Sequence, residues 1–247
     1  IEQAIQFNAF LEKEGIMQFP IHLKIDTGMH RLGLDAEQVN QFLYLFAGDR
    51  YSIKSVFTHL IAAEDESKDQ ITATQLALFE MIAGEIQCAF SYPIIRHASN
   101  TAAITRHPKA AYEMVRLGIG LYGISSSNEI KLITEAVELK TTIAQIRFVK
   151  KGESIGYGGN AIIQKDTYIA TIRIGYADGF PRSLGNGNGQ VYIRGQLYPT
   201  VGNVCMDMTM IDLGAEHSIQ VNDEVLIFGN NYSIKKIAKQ AMTIPYE

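Results

Sequence analysis

The spacing of apolar residues changes character near the middle of this 247-residue chain. In the first half, stretches with apolar residues at helical spacing alternate with short apolar runs that are typical of buried strands. The predicted helices are 1–15, 36–48 and 68–89, and the predicted strands are 20–26, 53–60, 94–98 and 117–123. Alternation of this kind predicts a parallel sheet made from about four β/α units.

The second half is dominated by strand patterns and turn signals from Glu135 onward. Turns are indicated at 151–153, at the Gly/Asn run 185–189, which we interpret as a hairpin tip, and at Arg194-Gly195. Only residues 233–241 have a clearly helical pattern. We therefore predict an α/β domain over 1–130 and a mostly β domain over 131–247, joined at the polar, serine-rich segment 125–130.

Composition excludes several classes of function. A net charge of −4 without a dense Lys/Arg run gives no sign of a basic patch that could bind nucleic acid or an anionic membrane surface, so neither partner is expected. The two cysteines, Cys88 and Cys205, make no disulfide framework, which suits a reducing cytoplasm. No membrane span, signal peptide or metal site is expected, and the absence of a starting Met indicates a piece of a longer protein.

A glycine-flanked tyrosine is the strongest sign of chemistry in the chain. Tyr176 follows the apolar run 168–174 and precedes Asp178-Gly179, so we expect it where a strand ends and a loop begins. About two dozen residues later comes the sequence Gly-Asn-Val-Cys-Met-Asp at 202–207. Alone, the first motif would indicate only a tight turn on which the tyrosine packs.

Further motifs in the same chain give the tyrosine a context. They are Lys-Ile-Asp-Thr-Gly-Met-His-Arg-Leu-Gly at 24–33, Phe-Thr-His-Leu at 57–60, His-Ala-Ser-Asn-Thr at 97–101 and Val-Arg-Leu-Gly-Ile-Gly-Leu-Tyr-Gly at 115–123. With these motifs in this order, the chain closely resembles alanine racemase from about Phe19 to Glu247. Segments 96–104 and 243–247 also resemble the racemase half of bacterial fusions with a cell-wall peptide ligase.

The resemblance implies a particular fold. A complete (β/α)₈ barrel takes about 250 residues, so the first half of this chain can supply only about half of one. The implied fold is the C-terminal half of a TIM-type barrel that binds pyridoxal phosphate. A mostly β C-terminal domain follows it and is truncated at its end.

The resemblance also implies a two-base mechanism in a homodimer. Pyridoxal phosphate stabilises the carbanion left when the α-proton is removed. Tyr176, from the partner subunit, would act as the base on one face of the substrate α-carbon. His59 would form a hydrogen bond with this tyrosine. Alone, His59 would be interpreted as a half-buried histidine with backbone partners. Arg116, which we expect in an apolar strand, would donate to the pyridine nitrogen; the alternative is an interdomain salt bridge.

The remaining site residues are implied in the same way. Asn100, Thr101, Gly118, Ile119 and Tyr246 would bind the cofactor phosphate through main-chain N–H groups and hydroxyls.

For the substrate alanine, Arg31 and Met206 would face the carboxylate. Cys205 and Asp207 would flank Met206, although Cys205 could equally be a packing residue. Lys24 matches a lysine that some members carry as a carbamate. Asn203 departs from the family, since many relatives have arginine there.

One essential element of the family is missing. The chain has no Lys-Ala-Asp-Ala-Tyr-Gly-like stretch, and therefore lacks the lysine that holds the cofactor as a Schiff base. We expect the parent protein to racemise alanine, supplying D-alanine for peptidoglycan, and this chain alone to be inactive. The alternatives are a racemase of another amino acid, a related decarboxylase, a non-catalytic carrier of the cofactor and an assembly module without chemistry.

Overall fold

The computed structural model describes residues 1–46, 50–124 and 134–247. The described residues form two compact units, one comprising 1–121 and the other 122–124 with 134–247. The predicted junction at 125–130 and the predicted domain boundary after residue 130 lie outside the described residues, as do residues 47 and 48 of the second predicted helix.

The first unit contains a parallel three-stranded sheet. Its elements are α1 (Glu2–Lys13), β1 (Phe19–Lys24), α2 (Ala36–Leu45), β2 (Tyr51–Phe57), α3 (Asp69–Cys88), β3 (Ile95–His97) and α4 (Thr101–Arg106). Strand β2 is central and pairs in parallel with both β1 and β3. The first three predicted strands and the three predicted helices of this half are therefore confirmed, with ends that differ by a few residues.

The helices cover the sheet with their apolar faces. On α3, Phe79, Ile82 and Ile86 recur at helical spacing and are fully buried. Helix α2 begins with a capping box, in which the Asp35 carboxylate accepts from the Gln38 N–H and the Gln38 side chain accepts from the Asp35 N–H. None of the described helices has the length and apolar composition needed to cross a membrane.

The fourth predicted strand, 117–123, is wrong. The segment instead contains a 3₁₀ helix, Ile119–Tyr122, so three rather than four parallel strands occur in the described part of this unit. The N–H groups of Gly118 and Gly120 donate to the Thr101 hydroxyl rather than to a strand. Leu117 and Leu121 are 49% and 67% exposed, so their alternation with glycine does not reflect burial in a sheet.

The second unit is a closed antiparallel barrel with one helix. Its elements are β4 (Leu139–Val149), β5 (Ser154–Ile155), β6 (Ala161–Ile162), β7 (Thr167–Ile172), β8 (Gln190–Ile193), β9 (Gln196–Val201), β10 (Thr209–Gly214), β11 (Glu224–Phe228) and α5 (Ile234–Ala241). The barrel order is β10-β7-β4-β11-β8-β9, and β9 returns to pair with β10. Closure leaves these six strands without a free edge, which confirms the mostly β character predicted for this half.

Alternating side chains fill the barrel. Val191 and Ile193 on β8, like Ile211 and Leu213 on β10, point into one buried apolar cluster. The predicted turn at Arg194-Gly195 connects β8 to β9 with positive φ at both residues.

Two other predictions for the second unit have different outcomes. The run 185–189 is not a hairpin tip, because it connects a 3₁₀ helix, Arg182–Leu184, to β8 while the Asn186 N–H donates to the Gly202 carbonyl. Tyr176 lies four residues after the end of β7, in the 3₁₀ helix Tyr176–Asp178, as its flanking glycines predicted.

Candidate active site

The carboxyl ends of β1, β2 and β3 lie at one edge of the parallel sheet, where ligands commonly bind in α/β proteins. The loop after β1 carries Arg31, and His59 follows β2 by two residues. Asn100 and Thr101 follow β3 at the start of α4. Together with Lys24 and Arg116, these residues form most of the site predicted for the first unit.

Arg116 is bound to main-chain carbonyls at this edge. One Nη donates to the Thr58 and Ala98 carbonyls at 2.7 and 3.2 Å, and the other donates to the His97 carbonyl at 3.0 Å and to the His97 ring at 2.8 Å. The four Nη hydrogens are thus engaged, whereas Nε–H has no acceptor among the described residues. Burial lowers the pKa of Arg116.

One prediction about Arg116 is wrong, and the alternative of a salt bridge finds no support among the described residues. Its main chain lies outside any strand, although its N–H still donates to the Ser99 carbonyl beyond β3. The ion pairs of the described residues do not include it, so carbonyl dipoles rather than a carboxylate compensate its charge. A guanidinium that is half-buried without a carboxylate is well suited to receive an anionic or basic ligand.

A chain of side-chain hydrogen bonds extends from Arg116 across the sheet. Because a guanidinium can only donate, His97 Nδ1 must accept, and Nε2 must carry the proton that is donated to the Ser55 hydroxyl at 2.9 Å. Ser55 is 2.7 Å from His22 Nδ1 on β1 and can donate to it. His97 is buried, and burial, followed by the nearby charges of Arg116 and His22, lowers its pKa to about 4.

His59 lies in a strongly cationic environment. Burial is the main cause of its lowered pKa, and the charges of Arg116, Arg31 and Lys24 act in the same direction. The Glu64 charge opposes them and has the smallest effect. The edge of the sheet therefore concentrates positive charge around a histidine that stays neutral at pH 7.

Lys24 and Asp26 hold the loop that carries Arg31. Asp26 Oδ1 accepts from three consecutive N–H groups, those of Gly28, Met29 and His30, at 2.9 to 3.1 Å. Lys24 Nζ donates to the Leu32 carbonyl at 2.6 Å. Burial lowers the pKa of Lys24 in spite of the Asp26 charge, and the backbone N–H donors lower that of Asp26 despite its own desolvation.

Thr101 and the glycines after Arg116 form a small polar cradle. The Thr101 hydroxyl accepts from the N–H groups of Gly118 and Gly120 at 3.0 and 3.2 Å. Its own hydrogen and the N–H of Ile119 have no acceptor among the described residues. A Cβ on Gly120 would lie 2.7 Å from both Thr101 Cγ2 and Leu117 Cδ1, so a larger residue here would displace these side chains. Asn100 caps α4 by accepting from the Ala103 N–H.

The second unit brings two predicted motifs together. The N–H of Tyr176 donates to the Cys205 carbonyl at 3.0 Å, and that of Ala177 donates to the Met206 carbonyl at 2.9 Å. Gly175 permits this approach, because an added Cβ would overlap both carbonyl oxygens. Tyr176 and Met206 are 44% and 59% exposed, so both side chains are available to a ligand or partner.

The neighbours of this pair are also defined. The Arg182 guanidinium lies 6.0 Å from the centre of the Tyr176 ring. Burial, reinforced by Asp207, raises the pKa of the Cys205 thiol. Asn203 donates to the Tyr157 carbonyl and accepts from Asn186, both at 2.9 Å. Tyr246 lies beyond α5 and is 65% exposed.

Comparisons with known proteins agree with these motifs. Residues 1–126 match the family model described as "Alanine racemase, N-terminal domain", and residues 136–247 match that described as "Alanine racemase, C-terminal domain". The chain belongs to the alanine racemase family. It is 37% identical over 235 residues to an alanine racemase of Symbiobacterium thermophilum, covering 92% of this chain and 62% of that protein.

Solved structures of the alanine racemase family share the fold. Alanine racemase of Clostridium difficile 630 has a TM-score of 0.89 at 34% identity, covering 99% of this chain and 65% of that one. An alanine racemase of Bartonella henselae with covalently bound pyridoxal phosphate has a TM-score of 0.85 at 28% identity, covering 99% and 67%. The chain thus spans less than two thirds of the curated relative, and its two units correspond to parts of both family domains.

The structure also contains polar residues at this edge to which the sequence analysis assigned no role. They are His22, Ser55, Gln75 and His97, of which the last three are buried. A signal did exist for Gln75, since it lies on the same helical face as Phe79, Ile82 and Ile86. A polar residue in such an apolar stripe indicates a hydrogen-bonded role.

Proposed function

We propose that this protein interconverts L- and D-alanine, and that these 247 residues supply part of its active site. The observation that carries the proposal is the cationic edge of the sheet, where Lys24, Arg31 and Arg116 surround a neutral His59. Such an edge suits a ligand with a phosphate, a phenolic oxygen and a carboxylate. Membership of the alanine racemase family supports the same conclusion.

Pyridoxal phosphate fits the donor set of this edge. The Thr101 hydroxyl hydrogen and the Ile119 N–H, which have no acceptor among the described residues, would hold the phosphate, with Asn100 fixing the start of α4 and Tyr246 as a further contact. The Gly118 N–H, expected to bind the phosphate directly, donates to Thr101 and would act through its hydroxyl. Arg116 would use Nε–H, the one donor that has no acceptor in the described part of the chain, towards the pyridine nitrogen. When bound, the cofactor supplies an electron sink for the charge left on the α-carbon.

The chain's own residues would then control proton movement and substrate orientation. We assign Tyr176 as the base on one face and His59 as its hydrogen-bond partner. A neutral His59 can accept the phenol hydrogen, since its pKa is lowered by burial and by three cations. Arg31 and the Met206 N–H would orient the substrate carboxylate, flanked by Cys205 and Asp207. Lys24 would hold the Arg31 loop, and the intact mass of the protein would show whether Lys24 carries a carbamate.

The finer architecture belongs to the same proposal. We infer that the parallel strands are the C-terminal half of a (β/α)₈ barrel, over 1–130, and that 131–247 is the family's β domain. Tyr176 and Met206 would act across a homodimer interface, in a cytoplasmic enzyme that supplies peptidoglycan precursors. Their exposure in the described unit and the two free cysteines are consistent with these inferences.

The lysine that holds the cofactor would come from outside these residues, because no Lys-Ala-Asp-Ala-Tyr-Gly-like stretch occurs within them. The isolated chain should therefore be inactive. A test compares the full-length protein with the 247-residue chain, both supplied with pyridoxal phosphate, by following loss of optical rotation from L-alanine and L-serine. We expect that the full-length protein racemises alanine and that the 247-residue chain does not. A faster reaction with serine would instead indicate a racemase of another amino acid.

The role of Tyr176 has a direct test in the full-length protein. Tyr176→Phe should lower kcat by a factor of about 10² to 10⁴, the usual contribution of a general base. Tyr44→Phe is the matched control, because this tyrosine is 86% exposed on α2. Retention of more than a tenth of the activity in Tyr176→Phe would remove Tyr176 from the mechanism.

A further inference from the structure

Gln75 is a buried polar residue at the centre of the first unit. It lies on α3 with only 2% of its surface exposed. Its side-chain oxygen accepts from the Ile61 N–H at 3.0 Å. Its nitrogen donates to the Thr27 hydroxyl and to the His59 carbonyl, both at 3.2 Å. The carboxamide thus uses both of its hydrogens, and its oxygen is also bonded.

The orientation of this carboxamide is fixed by its partners. The Ile61 N–H can only donate, so an oxygen must face it, and the His59 carbonyl can only accept, so the NH₂ group must face that side. A flipped amide would lose both bonds. Gln75 therefore has a single arrangement that satisfies the site.

The three partners belong to two different loops. Thr27 begins the loop that carries Arg31, whereas His59 and Ile61 belong to the loop that follows β2. Thr27 also shares a hydrogen bond of 2.7 Å with the Thr58 hydroxyl, and both threonines are buried. One helix side chain therefore joins the two loops through hydrogen bonds to Thr27, His59 and Ile61.

We propose that Gln75 is a positioning residue that couples the Arg31 loop to the His59 loop, so that both side chains keep a fixed relation in the site of the function proposed above. Gln75 contacts neither substrate nor cofactor in this scheme. It acts through the main chain of His59 and through Thr27.

A neutral carboxamide is well suited to this position. A carboxylate could accept from the Ile61 N–H, but its second oxygen would face the His59 carbonyl at hydrogen-bond distance and repel it. An apolar side chain would leave the part-buried Ile61 N–H and His59 carbonyl without this partner. Glutamine satisfies both groups and adds no charge beside the cationic cluster.

The test uses the full-length protein in its ligand-free form. Gln75→Met keeps a long side chain but removes all three hydrogen bonds. Thr72→Val is the matched control on the same helix, because Thr72 is fully buried and its hydroxyl has no partner in the described structure. Two quantities are measured by NMR: hydrogen exchange of the Gly28, Met29 and His30 amides, and the pKa of the His59 ring.

In Gln75→Met we expect exchange of these three amides to accelerate at least tenfold relative to amides of β2. The pKa of His59 should rise towards its ordinary value of 6.5, because a loosened loop exposes the ring. In Thr72→Val, the exchange rate of the three loop amides relative to the β2 amides should change less than twofold, and the pKa of His59 should stay the same. Gln75→Glu should resemble Gln75→Met at neutral pH.

The coupling is refuted when only one loop responds, when neither responds, or when β2 amides accelerate as much as the loop amides, which would indicate general destabilisation. Racemase assays on the full-length protein test the proposed function separately. Changes in both loops without racemase activity in the wild type would retain the coupling and reject the function. Racemase activity in the wild type, together with loops that do not respond to Gln75→Met, would retain the function and reject the coupling.

Discussion

Replacement of His97 by glutamine should remove an acid-sensitive contribution to stability. His97 is 5% exposed, accepts from Arg116 and donates to Ser55, so it is held as the neutral form. Its pKa in the folded protein is about 4, against an ordinary value of 6.5. Below pH 6.5 the unfolded chain therefore takes up a proton that the folded protein does not accept until about pH 4.

The magnitude follows from this difference in pKa. Each pH unit corresponds to about 1.4 kcal/mol, so His97 should lower the free energy of unfolding by about 3 kcal/mol between pH 6.5 and pH 4. Above pH 6.5 the contribution is constant, because both states are neutral. A loss of this size is large beside the roughly 5–15 kcal/mol that stabilises a typical domain.

Urea unfolding followed by circular dichroism at several pH values measures the effect. In His97→Gln the new side chain can still accept from Arg116 and donate to Ser55, but it cannot titrate. The difference between wild type and variant should therefore change by about 3 kcal/mol across this pH range. Ser55→Ala is the control, since it weakens the network at every pH while His97 remains buried. Parallel pH curves for wild type and His97→Gln would refute the reasoning.

Three glycine substitutions give further predictions. Gly175→Ala should destabilise the chain by about 1–3 kcal/mol, because its Cβ would overlap two carbonyl oxygens of the neighbouring loop; thermal unfolding measures this. Gly120→Ala, whose Cβ would lie 2.7 Å from Thr101, should weaken pyridoxal phosphate binding to the full-length protein at least tenfold, measured by absorbance titration. Gly84→Ala should instead raise stability by about 0.5–1 kcal/mol, since α3 has open space there; a lower melting temperature would contradict this.

Local periodicity was sufficient for much of the fold. The helices and the first three parallel strands could be predicted because their burial follows a simple period along the chain. The strand predicted for 117–123 was wrong because glycine–leucine alternation resembles a strand pattern, whereas the N–H groups of Gly118 and Gly120 bond to Thr101 on a different element. The hairpin tip predicted for 185–189 was wrong for a similar reason, since the Asn186 N–H bonds to the carbonyl of Gly202, which is distant in the sequence.

The sequence by itself determined the family, the order of its motifs and the identity of the residues proposed for the site, because short motifs carry the required side chains in consecutive positions. Only the tertiary structure decided how those side chains are held. Arg116 bonds to carbonyls at the carboxyl ends of β2 and β3. His97 acquires its tautomer from Arg116 and Ser55, and Gln75 joins two loops. Each of these depends on groups brought together by folding from distant positions, and hydrogen-bond partners of that kind leave no periodic trace in the sequence.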